Sequence, residues 1–147
     1  DPDSIYAFRR LVEPWTAHSN GDADACVVEG GVPEALGALG LSHARTASLS
    51  PYEALSWLAW TAASGGAHGK RRGAATGRGE AWWFLATFVG LADDWPCDPE
   101  EFGDIVTSLE FTSFTYDKAP TGGWGLHLVI EDPEEGLAIA LRATDVE

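Results

Sequence analysis

At 147 residues, with 45% hydrophobic and 22% charged side chains, the chain has an ordinary globular composition. That excludes global disorder and lets about 68–70% of the unfolded surface be buried without staples. Twenty-three acids against nine Lys and Arg give a net charge of -14, which repels phosphate backbones and excludes general nucleic-acid binding. Cys26 and Cys97 stand in no CxxC or Cys/His ligand spacing, so no zinc site or disulfide framework is indicated and a reduced, cytoplasmic setting is expected. No apolar run of about 18 residues or signal pattern marks a membrane span or export.

In chain order, a first helix is expected over residues 4–13, stopped by Pro14. Asn20, Asp22 and Asp24 alternate like the start of a calcium loop. Ala25 then occupies the position that needs glycine, and Gly31 the position that needs glutamate, so the segment reads as a solvated turn. Pro33-Glu34 after Gly30-Gly31 predicts a short helix. Ser50-Pro51-Tyr52-Glu53 is a capping box behind a first-turn proline and opens a helix to about residue 64.

Residues 81–91 are apolar on every side and predict a buried helix packed against 55–63, the two forming the heart of the core. The segment between them can be a loop or the first half of that second helix. The fourfold spacing of Gly69, Gly73 and Gly77, a small-residue ridge, favours the helix. Asp98-Pro99-Glu100-Glu101 repeats the capping pattern and predicts a helix to about 109. Residues 110–117 and 124–131 then read as a β-hairpin joined through 118–123, which carries Pro120 and two glycines. Asp132-Pro133-Glu134-Glu135 predicts a closing helix to about 142. The expected fold is α+β, a mostly helical core with one antiparallel β-hairpin near the C-terminus, in a single domain over 1–147. With no methionine and a start at Asp1-Pro2, that domain reads as a fragment of a longer chain.

Four of the nine bases, Lys70, Arg71, Arg72 and Arg78, fall within nine residues, whereas residues 81–147 carry fourteen acids against two bases. Such a cluster is either an anion-binding face or an internal counter-charge for acids such as Glu80, Asp93 or Asp94. On a helix, Arg71 and Arg78 share a face and could clamp a phosphate or carboxylate, with His68 as a third donor beside Trp82 or Trp83. Neither a Walker loop nor a dinucleotide fingerprint is satisfied, and no cofactor or metal is implied. His18, His43 and His127 sit in no ligand-spaced pair. Cys97, just before a helix start, could be an activated thiol given a base such as His68 or His127, but reads more simply as apolar filler.

The run His68-Gly69-Lys70-Arg71-Arg72-Gly73-Ala74-Ala75-Thr76-Gly77-Arg78, with Ala81-Trp82-Trp83 and residues 124–145, resembles a family of uncharacterised actinobacterial proteins. The resemblance agrees with seven arginines against two lysines and heavy Ala and Gly use. It implies a mostly helical domain and transfers no activity. The function expected from charge is a non-enzymatic interaction module whose acidic C-terminal half engages a basic protein partner, in an immunity or regulatory role. The alternative is a small-molecule anion site, catalytic or not, formed by His68, Arg71, Arg78, Trp82 and Trp83. The third possibility is a subdomain of a longer enzyme whose chemistry lies elsewhere.

Overall fold

The computed structural model describes residues 2–119 and 123–146. The strands are β1 (Asp22–Glu29), β2 (Arg45–Leu49), β3 (Glu110–Thr115), β4 (Trp124–Asp132) and β5 (Leu137–Asp145). The helices are α1 (Pro2–Leu11), α2 (Glu13–Thr16), α3 (Val32–Ala38), α4 (Pro51–Ala63), α5 (Ala74–Phe88) and α6 (Pro99–Ser108), with a 3-10 turn at Ala92–Asp94. All strand pairs are antiparallel, in the spatial order β1-β5-β4-β3-β2.

This corrects the expected mostly helical core with one hairpin. The β3/β4 pair exists but is the inner part of a five-stranded sheet; residues 120–122 of its connection lie outside the described residues. The predicted closing helix is strand β5. Asp132 Oδ1 does accept the Glu135 backbone N–H at 3.4 Å, the start of a cap, but Gly136 at φ 66° turns the chain back. The large side chains Leu137, Ile139 and Leu141 then alternate with Ala138, Ala140 and Arg142 at the period of a strand. Asp22 and Asp24 belong to β1 rather than to a turn.

The capping box at Ser50 forms as expected, and at Asp98 the side chain alone caps the helix. Ser50 Oγ accepts the Glu53 N–H at 3.1 Å while Glu53 Oε1 accepts the Ser50 N–H at 3.3 Å, and Asp98 Oδ1 accepts the Glu100 N–H at 3.2 Å. One sheet face, carrying Phe111, Leu126, Leu128, Ile130, Ile139 and Leu141, packs on Phe8, Leu11, Leu58, Phe84 and Leu85 of α1, α4 and α5. The other face, with Phe114, Val129, Ala138 and Ala140, is covered by Ala35 and Leu36 of α3. The core therefore sits on both faces of the sheet, and α4 and α5 contribute to one of them. Those two helices meet closely at Gly77, where a β-carbon would collide with Ala59 O and lie 2.7 Å from Ala63 Cβ.

The loop between α4 and α5 is tied to the sheet through Asp145, which is buried. Its Oδ2 accepts the Ala67 N–H at 2.6 Å and the Ser19 hydroxyl at 2.7 Å. Ser19 Oγ in turn accepts the His68 N–H at 3.0 Å. A buried carboxylate satisfied this way fixes where the basic segment starts.

Candidate functional site

The basic segment does not form one helical face. Helix α5 begins at Ala74 after Gly73, which has φ 89°, so Lys70, Arg71 and Arg72 precede it. Arg72 is consumed structurally. Its Nε donates to Ala62 O at 2.8 Å, Nη1 to Arg10 O at 3.2 Å and Nη2 to Leu11 O, closing the last carbonyls of α1 and α4. Burial lowers the pKa of this guanidinium, against the nearby charges of Glu80 and Glu13. Glu80, expected as a partner of the clustered arginines, instead pairs with Arg10, whose Nη2 lies 3.0 Å from its Oε1.

Lys70 and Arg71 are exposed and form no ion pair among the described residues. They line a groove of about 470 Å³ with His18, Glu13, Pro14 and Thr76. Of the other expected site residues, His68 is exposed outside this groove, and Arg78, two residues past Thr76, leaves α5 on nearly the opposite side. Arg78 instead lies one turn before Trp82 on the same side of α5. Trp83 turns inward against Trp95, their ring centroids 6.5 Å apart. The structure thus gathers Arg71 with Lys70 and His18, which the expected set omitted, and separates it from His68, Arg78, Trp82 and Trp83.

Trp82 belongs to a second, apolar groove of about 440 Å³ between α4, α5 and α6. Its walls are Tyr52 and Leu55 of α4, Trp82 of α5, Trp95 and Pro96 of the loop after α5, and Phe102 of α6. Tyr52 is 80% exposed and Trp82 47%. Trp95 meets Phe102 edge-on at 5.4 Å and Trp82 is tilted against Phe102 at 6.4 Å between centroids, so these three rings brace one another into an aromatic surface. Cys97 also lines it, but neither His68 nor His127 does, and the base an activated thiol would need is not brought there.

The surroundings of this groove are acidic. From Gly79 to Asp117 the chain has nine acids and no Lys or Arg. Asp98 caps α6 at the groove's edge, and Glu100 and Asp104 are exposed on the flank of α6 beside the lining residues Gly103 and Thr107. Sequence reasoning missed Tyr52, Trp95 and Phe102 as one surface because they come from three separate segments. The signal that was available is the base-free stretch around Trp95-Pro96.

By fold and surface this is an acidic α+β protein with an antiparallel sheet clad by helices on both faces, presenting an acid-flanked aromatic groove. The chain belongs to a family of unknown function (DUF6183), which it matches over residues 1–147. No curated protein and no solved structure matches it. Among the described residues no helix is long and apolar enough to cross a membrane.

Proposed function

We propose that the protein is a non-enzymatic interaction module that docks a basic protein partner, and that the groove of Tyr52, Leu55, Trp82, Trp95 and Phe102 is the docking surface. The observation that carries this is the coincidence of exposed, braced aromatic rings with a rim of carboxylates. An apolar anchor in such a groove excludes water, while Lys or Arg beside it meet Asp98, Glu100 and Asp104. The occupant this chemistry selects is a segment with aliphatic or aromatic residues on one side and bases on the other, as an amphipathic helix offers. A net charge of -14 adds long-range steering of such a partner. An immunity or regulatory protein that masks a basic surface uses these same features. The reading takes the setting as cytoplasmic, in keeping with the free thiols Cys26 and Cys97, and the source as actinobacterial, in keeping with the Arg, Ala and Gly bias.

The test is fluorescence anisotropy with a labelled helical peptide of leucine on one face and lysine on the other. Trp82→Ala should weaken binding by about tenfold or more, roughly 1.4 kcal/mol or above, and Arg71→Ala should leave it unchanged. Equal affinity for wild type and Trp82→Ala sinks this use of the groove.

One observation favours a second reading, a small-anion site. Lys70, Arg71 and His18 share a groove with Thr76 at the N-terminal turn of α5, which carries no acid and no side-chain cap. A melting-temperature rise with phosphate or a small carboxylate that Arg71→Ala removes would carry that reading.

A further inference from the structure

The sheet ends in two edges, β1 and β2, and they differ in how they would meet a further strand. An edge strand presents unpaired N–H and C=O groups, and charged side chains along it are a common defence against pairing. β1 has that defence. Asp22, Asp24 and Glu29 are exposed, and a full antiparallel pairing of β1 with its own copy would set Asp22 against Glu29. β2 carries only Arg45, at its first residue, and from Ala35 to Tyr52 the chain has no Asp or Glu.

The helical layers leave β2 largely open. Arg45, Thr46, Ala47 and Ser48 are exposed, and Leu49 is half-buried against the core. The register with β3 places Arg45, Ala47 and Leu49 on the sheet face that carries α4 and α5, opposite Thr115, Ser113 and Phe111, and places Thr46 and Ser48 on the face of α3. Ser113 Oγ donates to Ala47 O at 3.3 Å, so the Ala47 carbonyl is turned towards β3. By the alternation of a strand, the N–H and C=O groups of Thr46 and Ser48 turn outward, where no strand pairs with them among the described residues.

We propose that this edge is where two copies of the chain meet, β2 pairing antiparallel with β2 of a second copy across a twofold axis at Ala47, so that the two sheets join. Ala47 then faces its own copy, Thr46 faces Ser48, and Arg45 faces Leu49. Thr46 and Ser48 exchange backbone hydrogen bonds across the seam, and the Arg45 stem lies along Leu49. The two Arg45 charges stand four residues apart along the seam, about 13 Å, beyond the roughly 8 Å screening length at physiological salt. Charge selects a second copy as the occupant. At a net charge of -14 two copies repel wherever carboxylates meet, and β2 is the sheet edge that brings none together. A basic partner finds no carboxylate along this strand, and the strand shares no residue with the aromatic groove. Five residues a side is small against the roughly 1,200–2,000 Å² of stable interfaces, so the association is weak and depends on concentration.

Sedimentation equilibrium on the whole chain at up to about 1 mM is the test, and the wild type should show a reversible dimer. Ala47→Glu and Ala47→Lys each set like charges face to face at an exposed position and should weaken that dimer by about tenfold or more, with melting temperatures close to wild type. An equimolar mixture of the two variants should associate again, because Glu then faces Lys. Trp82→Ala should dimerise like wild type. A wild type that stays monomeric, which would leave the edge to a strand of another protein, overturns the proposal. So does a dimer that both Ala47 variants keep, a mixture that stays monomeric, or a dimer lost in Trp82→Ala.

Discussion

The guanidinium of Arg72 closes the C-terminal ends of two helices at once, donating to Ala62 O of α4 and to Arg10 O and Leu11 O of α1. Its neighbour Arg71 lines an open groove without an ion-pair partner among the described residues. Of the acids expected to pair with the cluster, Glu80 goes to Arg10, and Arg72 is held by backbone carbonyls, with no ion pair among the described residues. Arg72→Ala strands three carbonyls near helix ends and should destabilise the protein by about 2–4 kcal/mol. Arg71→Ala should stay within about 0.5 kcal/mol of wild type, as exposed substitutions usually do. Urea unfolding of both variants checks this, and comparable losses would show that Arg71 is structural too. The difference was not legible in Lys70-Arg71-Arg72, because it depends on where α5 begins. The helical spacing of Gly69, Gly73 and Gly77 gave the segment the wrong start, and with it the wrong face for Arg71.

At the scale of elements, Gly77 is where α4 and α5 approach, and Gly79, two residues on, has nothing within 4 Å of its missing β-carbon. Alanine is the better helix former by about 0.8–1.0 kcal/mol at both positions. Gly79→Ala should accordingly stabilise by up to that amount. Gly77→Ala must push α5 off the Ala59 carbonyl and Ala63 and should destabilise by about 1–3 kcal/mol despite the same propensity gain. Opposite shifts in melting temperature are the expected outcome; a rise in both would mean that the helices do not meet at Gly77.

Helices announced by a cap, a proline and a glutamate were readable because each signal is local and pairs with an apolar run. The same four-residue pattern at Asp132 misled, since it also suits a turn when a glycine follows. The outer strands β1 and β2 were hidden for another reason. The first half of β1, Asp22-Ala23-Asp24-Ala25, alternates with alanine rather than large apolar side chains, leaving only Val27 and Val28 as β-branched residues, and Arg45-Thr46-Ala47-Ser48-Leu49 has only one large apolar residue, so both carry a weak strand signal. Both are edge strands of the sheet, and their pairing is dictated by β5 and β3.

For the molecule as a whole, charge and aromatic surface coincide. The stretch without bases from Gly79 to Asp117 spans most of α5 and all of α6, two of the three helices that frame the groove. Lys70, Arg71 and Arg72 lie in the α4–α5 connection and line the other groove, while Arg78 stands one turn before Trp82 on α5. A surface organised in this way should discriminate by the sign of its partner at constant apolar content. The most direct measurement is a comparison of two labelled helical peptides with the same leucine face, one with lysines and one with glutamates on the other face, between about 0.05 M and about 0.5 M salt. The account predicts that only the lysine peptide binds, that salt weakens it, and that Trp82→Ala removes most of its affinity. Equal binding of the two peptides, or lysine-peptide binding unaffected by Trp82→Ala, would contradict it.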